Sequence, residues 1–302
     1  MKGKTRGLFL RRDNRFTCTV DVGGRPVKAH LANSGRLKEL LVPGAEVLMV
    51  PNKGKLPYKL IGARKGNIWV PLDSHLVNRF FIEIQQKGLL PFATNWRLTK
   101  KEVSIGKRRL DFLFEVGGTP LLVEVKSCTL VRRGIALFPD APTERGADHL
   151  IILRDFVRKG NRASIIFVAQ REDALSFAPN SGTHIRFARD LYGALHEGVR
   201  GYLIVSRFDI TSAELILLRW KEFLLPETLL MDFLASRGIG APSVRLLSSD
   251  KESVFFSLSE NLEQPVTEEF QGFAEERGID VMFESRGGRL YKLKVVSEKR
   301  RS

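Results

Sequence analysis

The chain has 302 residues, with 49 lysines and arginines against 34 aspartates and glutamates, a formal net charge of +15. That length implies two or three domains, the ordinary apolar and charged fractions exclude a disordered chain, and no apolar run is long enough to span a bilayer. A thermophile surface raises both signs of charge together, so an excess of one sign favours a polyanionic partner: nucleic acid first, and no membrane, because no basic amphipathic helix is present.

The N-terminus, Met-Lys-Gly-Lys-Thr-Arg-Gly-Leu-Phe-Leu, is basic but lacks a signal-length apolar run and a cleavage site. Cys18 and Cys128 sit in strand-like segments and read as buried free thiols, not a disulfide. The five histidines are scattered without zinc spacing. A cytoplasmic protein is expected.

Residues 1–72 read as the first domain. Strands are expected at 7–13, 14–22, 26–31, 45–50, 58–64 and 67–70, with Gly23-Gly24 a turn. Ser34 is placed to cap a short helix over 34–41. Such a run matches a small Greek-key barrel of the OB kind, which often binds oligonucleotides, although the fold alone does not prove that use. Arg11, Arg12, Arg15, Arg36, Lys38, Arg64 and Lys65 are its candidate phosphate track. His30 and Asn33 have two readings: contacts to a base or phosphate, or a histidine satisfied by a carbonyl and an asparagine in a turn.

From residue 73 the period becomes helical. Leu76, Val77, Phe80, Phe81 and Ile84 share a face, Asp73 or Ser74 can cap the helix, and it ends near Gly88 and Pro91. Glu83 on this helix is a solvated residue or a third acidic group for the site described next. Lys100-Lys101 and Lys107-Arg108-Arg109 follow, a basic run that suits a phosphate substrate.

The run Arg109-Leu-Asp-Phe-Leu-Phe-Glu-Val-Gly-Gly-Thr-Pro-Leu-Leu-Val-Glu-Val-Lys126 reads as two strands joined by a Gly117-Gly118 turn. Opposed residues then have numbers that sum to 235, which sets Asp111 against Glu124 as a close, non-hydrogen-bonded pair. Their Cβ atoms are expected roughly 4.5–5.5 Å apart, where like charges repel. A divalent cation between them is one remedy. Period-2 alternation puts Lys126 beside Glu124, with Val123 and Val125 turned into a core. Two other readings stay open: solvent-facing residues on a half-exposed strand, or a simple ion pair of either acid with Arg109 or Lys126.

Residues 127–146 form a long stretch with two prolines and no clear period. A loop of that length is functional or disordered, and its apolar content argues against disorder. A helix over about 143–159, with Leu150, Leu153 and Val157 inward, a buried strand at 162–170, a helix at 184–198, and strands at 201–208 and 214–219 complete an α/β domain on a mixed sheet over 73–220. Residues 221–302 read as a third piece: a helix at 225–237, then a ββαββ module with its inner helix at 265–277, strands at 279–284 and 289–296, and a frayed basic tail from Glu298. It has no catalytic spacing; dimerisation, as a homodimer, or recruitment of a partner are its open roles.

Three strings, His30-Leu-Ala-Asn-Ser-Gly-Arg-Leu-Lys-Glu-Leu, Val123-Glu-Val-Lys-Ser-Cys-Thr-Leu and Phe138-Pro-Asp-Ala-Pro-Thr-Glu-Arg-Gly-Ala, closely resemble the sugar fermentation stimulation protein A family over residues 7–220. The resemblance implies an OB-like domain followed by a nuclease-like domain of the PD-(D/E)XK superfamily, in a DNA-binding protein with a proposed regulatory role in sugar utilisation. It carries the motif aspartate to Asp111, the glutamate to Glu124, the lysine to Lys126, the helical acid to Glu83, and a polar position to Gln170. Leu110 stands where the motif's proline would be. The fold implied is an α+β multi-domain chain.

A metal-dependent nuclease of this kind would use Asp111 and Glu124 for Mg²⁺ or Mn²⁺, with Glu83 as a further ligand and the carbonyl of Val125 alongside. Lys126 would position the attacking water. Asp140 and Glu144 would supply a second metal ligand or hold Arg145, which would clamp a phosphate; Glu144 can equally complement the helix dipole. Arg11, Arg15, Asn33, Arg36, Lys107, Arg108, Arg109 and Arg145 are the candidate nucleic-acid contacts. The competing reading is a non-catalytic DNA-binding regulator of sugar metabolism on a nuclease-like scaffold.

Overall fold

The computed structural model describes residues 3–259, 266–285 and 290–296. The first unit has six strands, β1 (Thr5–Asn14), β2 (Thr17–Val22), β3 (Arg25–Leu31), β4 (Glu46–Pro51), β5 (Tyr58–Lys65) and β6 (Ile68–Pro71). Their order is β3-β2-β1-β4-β5-β6, and a parallel pairing of β3 with β5 closes the first five into an OB-like barrel. Cys18, Val20, Ala29, Leu31, Met49 and Leu60 fill it.

The helix expected at 34–41 is absent. The Arg12 guanidinium lies inside that loop and donates to the carbonyls of Asn33 (3.1 Å), Gly35 (2.7 Å) and Arg36 (3.1 Å). A helix would need those carbonyls for its own ladder. The loop stays irregular instead, with Leu37 buried in the barrel core at a positive φ of 53°.

The second unit runs α1 (Leu76–Gln86), β7 (Arg97–Ile105), β8 (Arg108–Val116), β9 (Thr119–Cys128), β10 (Val131–Arg132), β11 (Ile135–Phe138), α2 (Glu144–Arg158), β12 (Arg162–Ala169), β13 (Ser176–Pro179), α3 (Ile185–His196), β14 (Arg200–Asp209) and β15 (Glu214–Phe223). Its mixed sheet is ordered β15-β14-β12-β9-β8-β7, with β9, β12 and β14 parallel. α1 packs on one face over Phe112, Phe114, Val123 and Val125. α2 and α3 cover the other over Leu122, Phe167 and Phe223. Glu124, between Val123 and Val125, therefore shares its face with Leu122 and α2.

Three local readings need correction. β7 was not expected; it is an edge strand whose largely exposed residues hide the alternation of a half-buried one. Residues 127–146 are not a plain loop, because β10 and β11 join β13 in a small three-stranded sheet. Neither Asp73 nor Ser74 caps α1: His75 is the cap residue, Asp73 accepts from the His75 N–H (3.0 Å), and Ser74 donates to the Ala32 carbonyl.

The chain continues with α4 (Leu225–Ser236), β16 (Val244–Ser249), β17 (Ser253–Leu258), α5 (Val266–Glu275), β18 (Val281–Ser285) and β19 (Leu290–Val295), the last four strands in the order β16-β17-β19-β18. The expected starts at Pro265 and Arg289 and the tail from Glu298 lie outside the described residues. α4 is buried from Leu225 to Leu234 and packs with Leu137, Ala178 and Tyr192 as well as Phe256 and Phe270, so one hydrophobic mass joins this module to the small sheet and α3. At its centre is a buried polar knot. Asp232 accepts from Ser181 Oγ (2.8 Å), Tyr192 Oη (2.8 Å) and Arg277 Nε (3.1 Å), and Arg277 Nη2 also reaches Ser181 (2.7 Å). Among the described residues no helix is long and apolar enough to cross a membrane.

Removing one partner of a buried ion pair strands the other charge. Arg277→Met is expected to cost about 3–5 kcal/mol in unfolding free energy, read from urea or guanidinium denaturation. A loss under 1 kcal/mol would show that the knot does not fasten the module.

Candidate functional site

The β8–β9 turn is set by local chemistry. Gly117 and Gly118 both have positive φ, 58° and 80°, as a tight two-residue turn of the primed type requires. The ladder then runs from Val116–Thr119 to Phe112–Val123, every pair summing to 235. Past that pair, side chains take over from backbone pairing. Val125 N–H donates to Asp111 Oδ2 (2.8 Å), and Asp111 N–H faces Glu124 Oε2 (3.3 Å). The ladder thus gives way to two carboxylates.

Each carboxylate is held from behind. Asn78 on α1 donates to Asp111 Oδ1 (2.7 Å). Glu124 Oε1 receives Lys126 Nζ (2.5 Å) and lies 2.6 Å from His149 Nδ1 on α2. Arg145 Nε donates to the other ring nitrogen of His149 (3.3 Å). Guanidinium nitrogens only donate, so His149 Nε2 is the acceptor and the ring proton sits on Nδ1, pointed at Glu124. The Glu124 side chain is 4% exposed and that of Lys126 13%.

The two acids are driven apart electrostatically. Burial, then the charge of Glu124, push Asp111 up to about 6, against the hydrogen bonds it accepts. Burial would raise Glu124 too, but the Lys126 ammonium and His149 outweigh it and hold the carboxyl at about 2. Cys128 nearby is no nucleophile: burial pushes its thiol up to about 12.

The pair opens into a cleft of about 410 Å³ between the two units. Arg15, Asn33 and Gly35 line it from the barrel, Asn78 from α1, and residues 137–143 with Arg145 from the far wall. The walls are tied where Asp140 Oδ2 accepts the Leu37 N–H (2.7 Å). Gly35 belongs there because a Cβ would stand 3.0 Å from the same Asp140 oxygen.

Several expected residues lie elsewhere. Glu83 is exposed, paired with Lys87 at 2.6 Å, and does not line the cleft; α1 brings Asn78 to Asp111 in its place. Asp140 ties the walls, and Glu144 pairs with Arg186 and His184, so neither holds Arg145. Arg11 pairs with Asp13, Arg108 with Asp148 and Arg109 with Glu102. Arg12 is occupied by backbone carbonyls and Arg64 pairs with Glu46. Asn33 builds the loop by accepting the Gly35 N–H (2.8 Å). Lys107 is exposed at the β7–β8 turn, and Arg36 borders a neighbouring cavity. Gln170 is fully buried and steadies Ser127, next to Lys126, through its Nε2 (2.8 Å). His149 was missed; its signal is the four-residue spacing from Arg145, which stacks both on one helix face.

As a donor set this is two hard carboxylates; among the described residues no group of three His, Cys, Asp or Glu is placed to hold a metal ion together. That suits an ion that keeps most of its own waters, as Mg²⁺ does.

Residues 10–72 match the family profile "SfsA N-terminal OB domain" and residues 75–212 match "Sugar fermentation stimulation protein RE domain". The chain is 43% identical over 216 residues to the sugar fermentation stimulation protein homolog of Moorella thermoacetica, covering 70% of this chain and 93% of that one. The homolog of Natranaerobius thermophilus is 41% identical over 200 residues, 64% of this chain and 83% of its own. The solved structure of Pyrococcus furiosus SfsA in complex with Ca²⁺ superimposes with a TM-score of 0.67 at 32% identity, covering 72% of this chain and 94% of that one.

The raised carboxyl sets a pH dependence. Between about pH 4 and 6 the folded protein keeps a proton on Asp111 that the unfolded chain has released. Stability therefore falls as pH rises through that window, by roughly 2–3 kcal/mol in total. Urea unfolding in metal-free buffer at several pH values is expected to show this slope in the wild type and its loss in Asp111→Asn; equal slopes would contradict the assignment.

Proposed function

The chain belongs to the sugar fermentation stimulation protein family, and on that premise we propose that its cleft is a metal-dependent site for hydrolysing phosphodiester bonds of nucleic acid, DNA first. The observation that carries this reading is the buried Asp111–Glu124 pair with Lys126 at 2.5 Å from Glu124, in a chain of net charge +15. Asp111, Glu124 and Lys126 follow the PD-(D/E)XK pattern, with Leu110 in place of its proline and Glu83 outside the cleft.

Asp111 and Glu124 would hold Mg²⁺ or Mn²⁺, and the Ca²⁺ complex of the Pyrococcus furiosus relative supports a hard, oxygen-loving cation. The ion would supply Lewis acidity to the phosphoryl group. The rest is the work of the chain. Asn78 and the Val125 N–H fix Asp111. His149 fixes Glu124 through Oε1, which leaves Oε2 facing Asp111. Lys126 can swing from Glu124 onto a phosphoryl oxygen or the attacking water, offsetting charge that grows in the transition state. Arg145 at the rim can grip an adjacent phosphate in a fork-like contact. The buried free thiols accord with a reducing, cytoplasmic setting.

One observation favours the second reading, a DNA-binding scaffold without turnover. Every oxygen of the acid pair already has a partner within the protein. It predicts salt-sensitive binding and no cleavage.

The test is incubation of purified protein with single- and double-stranded DNA and RNA, with Mg²⁺ or Mn²⁺, beside Glu124→Ala and Lys126→Ala. Cleavage by the wild type alone, with each variant down by about 10²-fold or more, is expected. Equal traces in all three proteins would indicate a contaminant and sink the hydrolytic reading.

A further inference from the structure

A second cavity, of about 370 Å³, adjoins the cleft and shares Asp140 with it. Arg36, Lys38, Lys65 and Arg132 line it from both units, and none of these four side chains has an ion pair or a side-chain hydrogen bond. That sets them apart from Arg11, Arg64, Arg108 and Arg109, all neutralised by acids. Two acids share the cavity. They offset only part of the charge: four cations against Glu39 and Asp140 leave the cavity net positive, and neither acid forms an ion pair with any of the four. Uncompensated positive charge converging on one concavity is a site for phosphate.

At the barrel end of the cleft, the residue after Arg15 is Phe16, 47% exposed. The Arg15 guanidinium lies 5.4 Å from its ring centre. An exposed ring beside a guanidinium offers a stacking surface for a base.

We propose that the second cavity is a phosphate subsite, and that a single-stranded nucleic acid runs from Phe16 past the carboxylates to Arg36, Lys38, Lys65 and Arg132. The proposal rests on reading the cleft as a phosphodiester site. Strandedness follows from the walls. Glu124 is 4% exposed, and the cleft it lines is tied from wall to wall by the Asp140–Leu37 hydrogen bond. A duplex is a stiff rod with its phosphates outside, and a cleft so tied cannot seat a rod. A single strand, with rotatable bonds at every phosphate, can thread it.

The test is fluorescence anisotropy with a labelled oligonucleotide, single-stranded and as a blunt duplex, without divalent metal so that cleavage does not intervene. Tighter binding of the strand than of the duplex is expected. Arg36→Ala with Arg132→Ala should weaken strand binding about tenfold and flatten its log K against log salt slope by about 1.4, two phosphates at about 0.7 each. Phe16→Ala should weaken it about tenfold, and Phe16→Trp should restore it. Lys159→Ala, which removes one charge but lines neither cavity, should change nothing comparable. Unchanged affinity and slope in the double variant would overturn the proposal, as would a duplex that binds as tightly as the strand. Displacement of the strand by micromolar inorganic phosphate would also overturn it, by making a small anion the occupant. A wild type that binds the strand as described yet never cuts with Mg²⁺ or Mn²⁺ would sink the hydrolytic reading alone.

Discussion

Two carboxylates, Glu124 buried and Asp111 half-buried, meet at the floor of the cleft, and much of the central unit is arranged around the cost of keeping them there. Two negative charges a few ångströms apart repel strongly in a medium of low effective dielectric. The structure relieves this unevenly. Glu124 receives an ammonium and an imidazole N–H, whereas Asp111 receives only neutral donors, the Asn78 amide and a backbone N–H. One acid is therefore held firmly ionised and its neighbour is raised toward neutrality. The partners that orient the pair come from the strand itself and from the helices α1 and α2.

The barrel is part of this site and not simply joined to it. Arg12 draws the 33–36 loop together by taking its carbonyls, and Asn33 closes the turn on the Gly35 N–H. That geometry presents the Leu37 N–H to Asp140 across the seam, and a glycine at 35 leaves room for the carboxylate. The positive φ at Leu37, unusual for a branched apolar residue, persists because its side chain is buried while its N–H is bound from the other unit. An arginine that looks like a surface phosphate contact thus acts as scaffolding. Arg36, Lys38, Lys65 and Arg132, around the second cavity, are among the cations left without an ion pair.

What the chain reveals before folding follows the range of each interaction. The hairpin was legible to single-residue register because a Gly-Gly turn fixes pairing locally. α1 was legible because its apolar stripe repeats over three turns. β7 escaped because an edge strand has little to bury, and the β10–β11–β13 sheet because its parallel pairing joins short runs some forty residues apart, as in Ile135 with Ser176. The lost 34–41 helix has the same root: Ser34 and the leucines favour a helix locally, and Arg12, more than twenty residues earlier, overrides them. Of the site, Asp111, Glu124 and Lys126 were readable from alternation on one ribbon. Asn78 and His149 were not, since each arrives on a helix whose rotation is set by tertiary packing.

Besides the hydrophobic mass it shares with Leu137, the C-terminal module meets the wall of the cleft at the β10–β11 turn. Both family profiles end by residue 212, yet the segment after α4 returns to the β10–β11 turn, where Ala241 N–H donates to the Arg133 carbonyl (2.9 Å) and Arg133 reaches the Gly238 carbonyl. Gly240 packs so closely on Arg133 that a Cβ there would meet its carbonyl oxygen at 2.7 Å. β11 leaves that turn and runs directly into residues 137–143, the far wall of the cleft. Arg132, beside the same turn, lines the second cavity. A short two-residue strand such as β10 has little pairing energy of its own, and the 238–241 segment adds its own hydrogen bonds to the turn that β10 forms with β11.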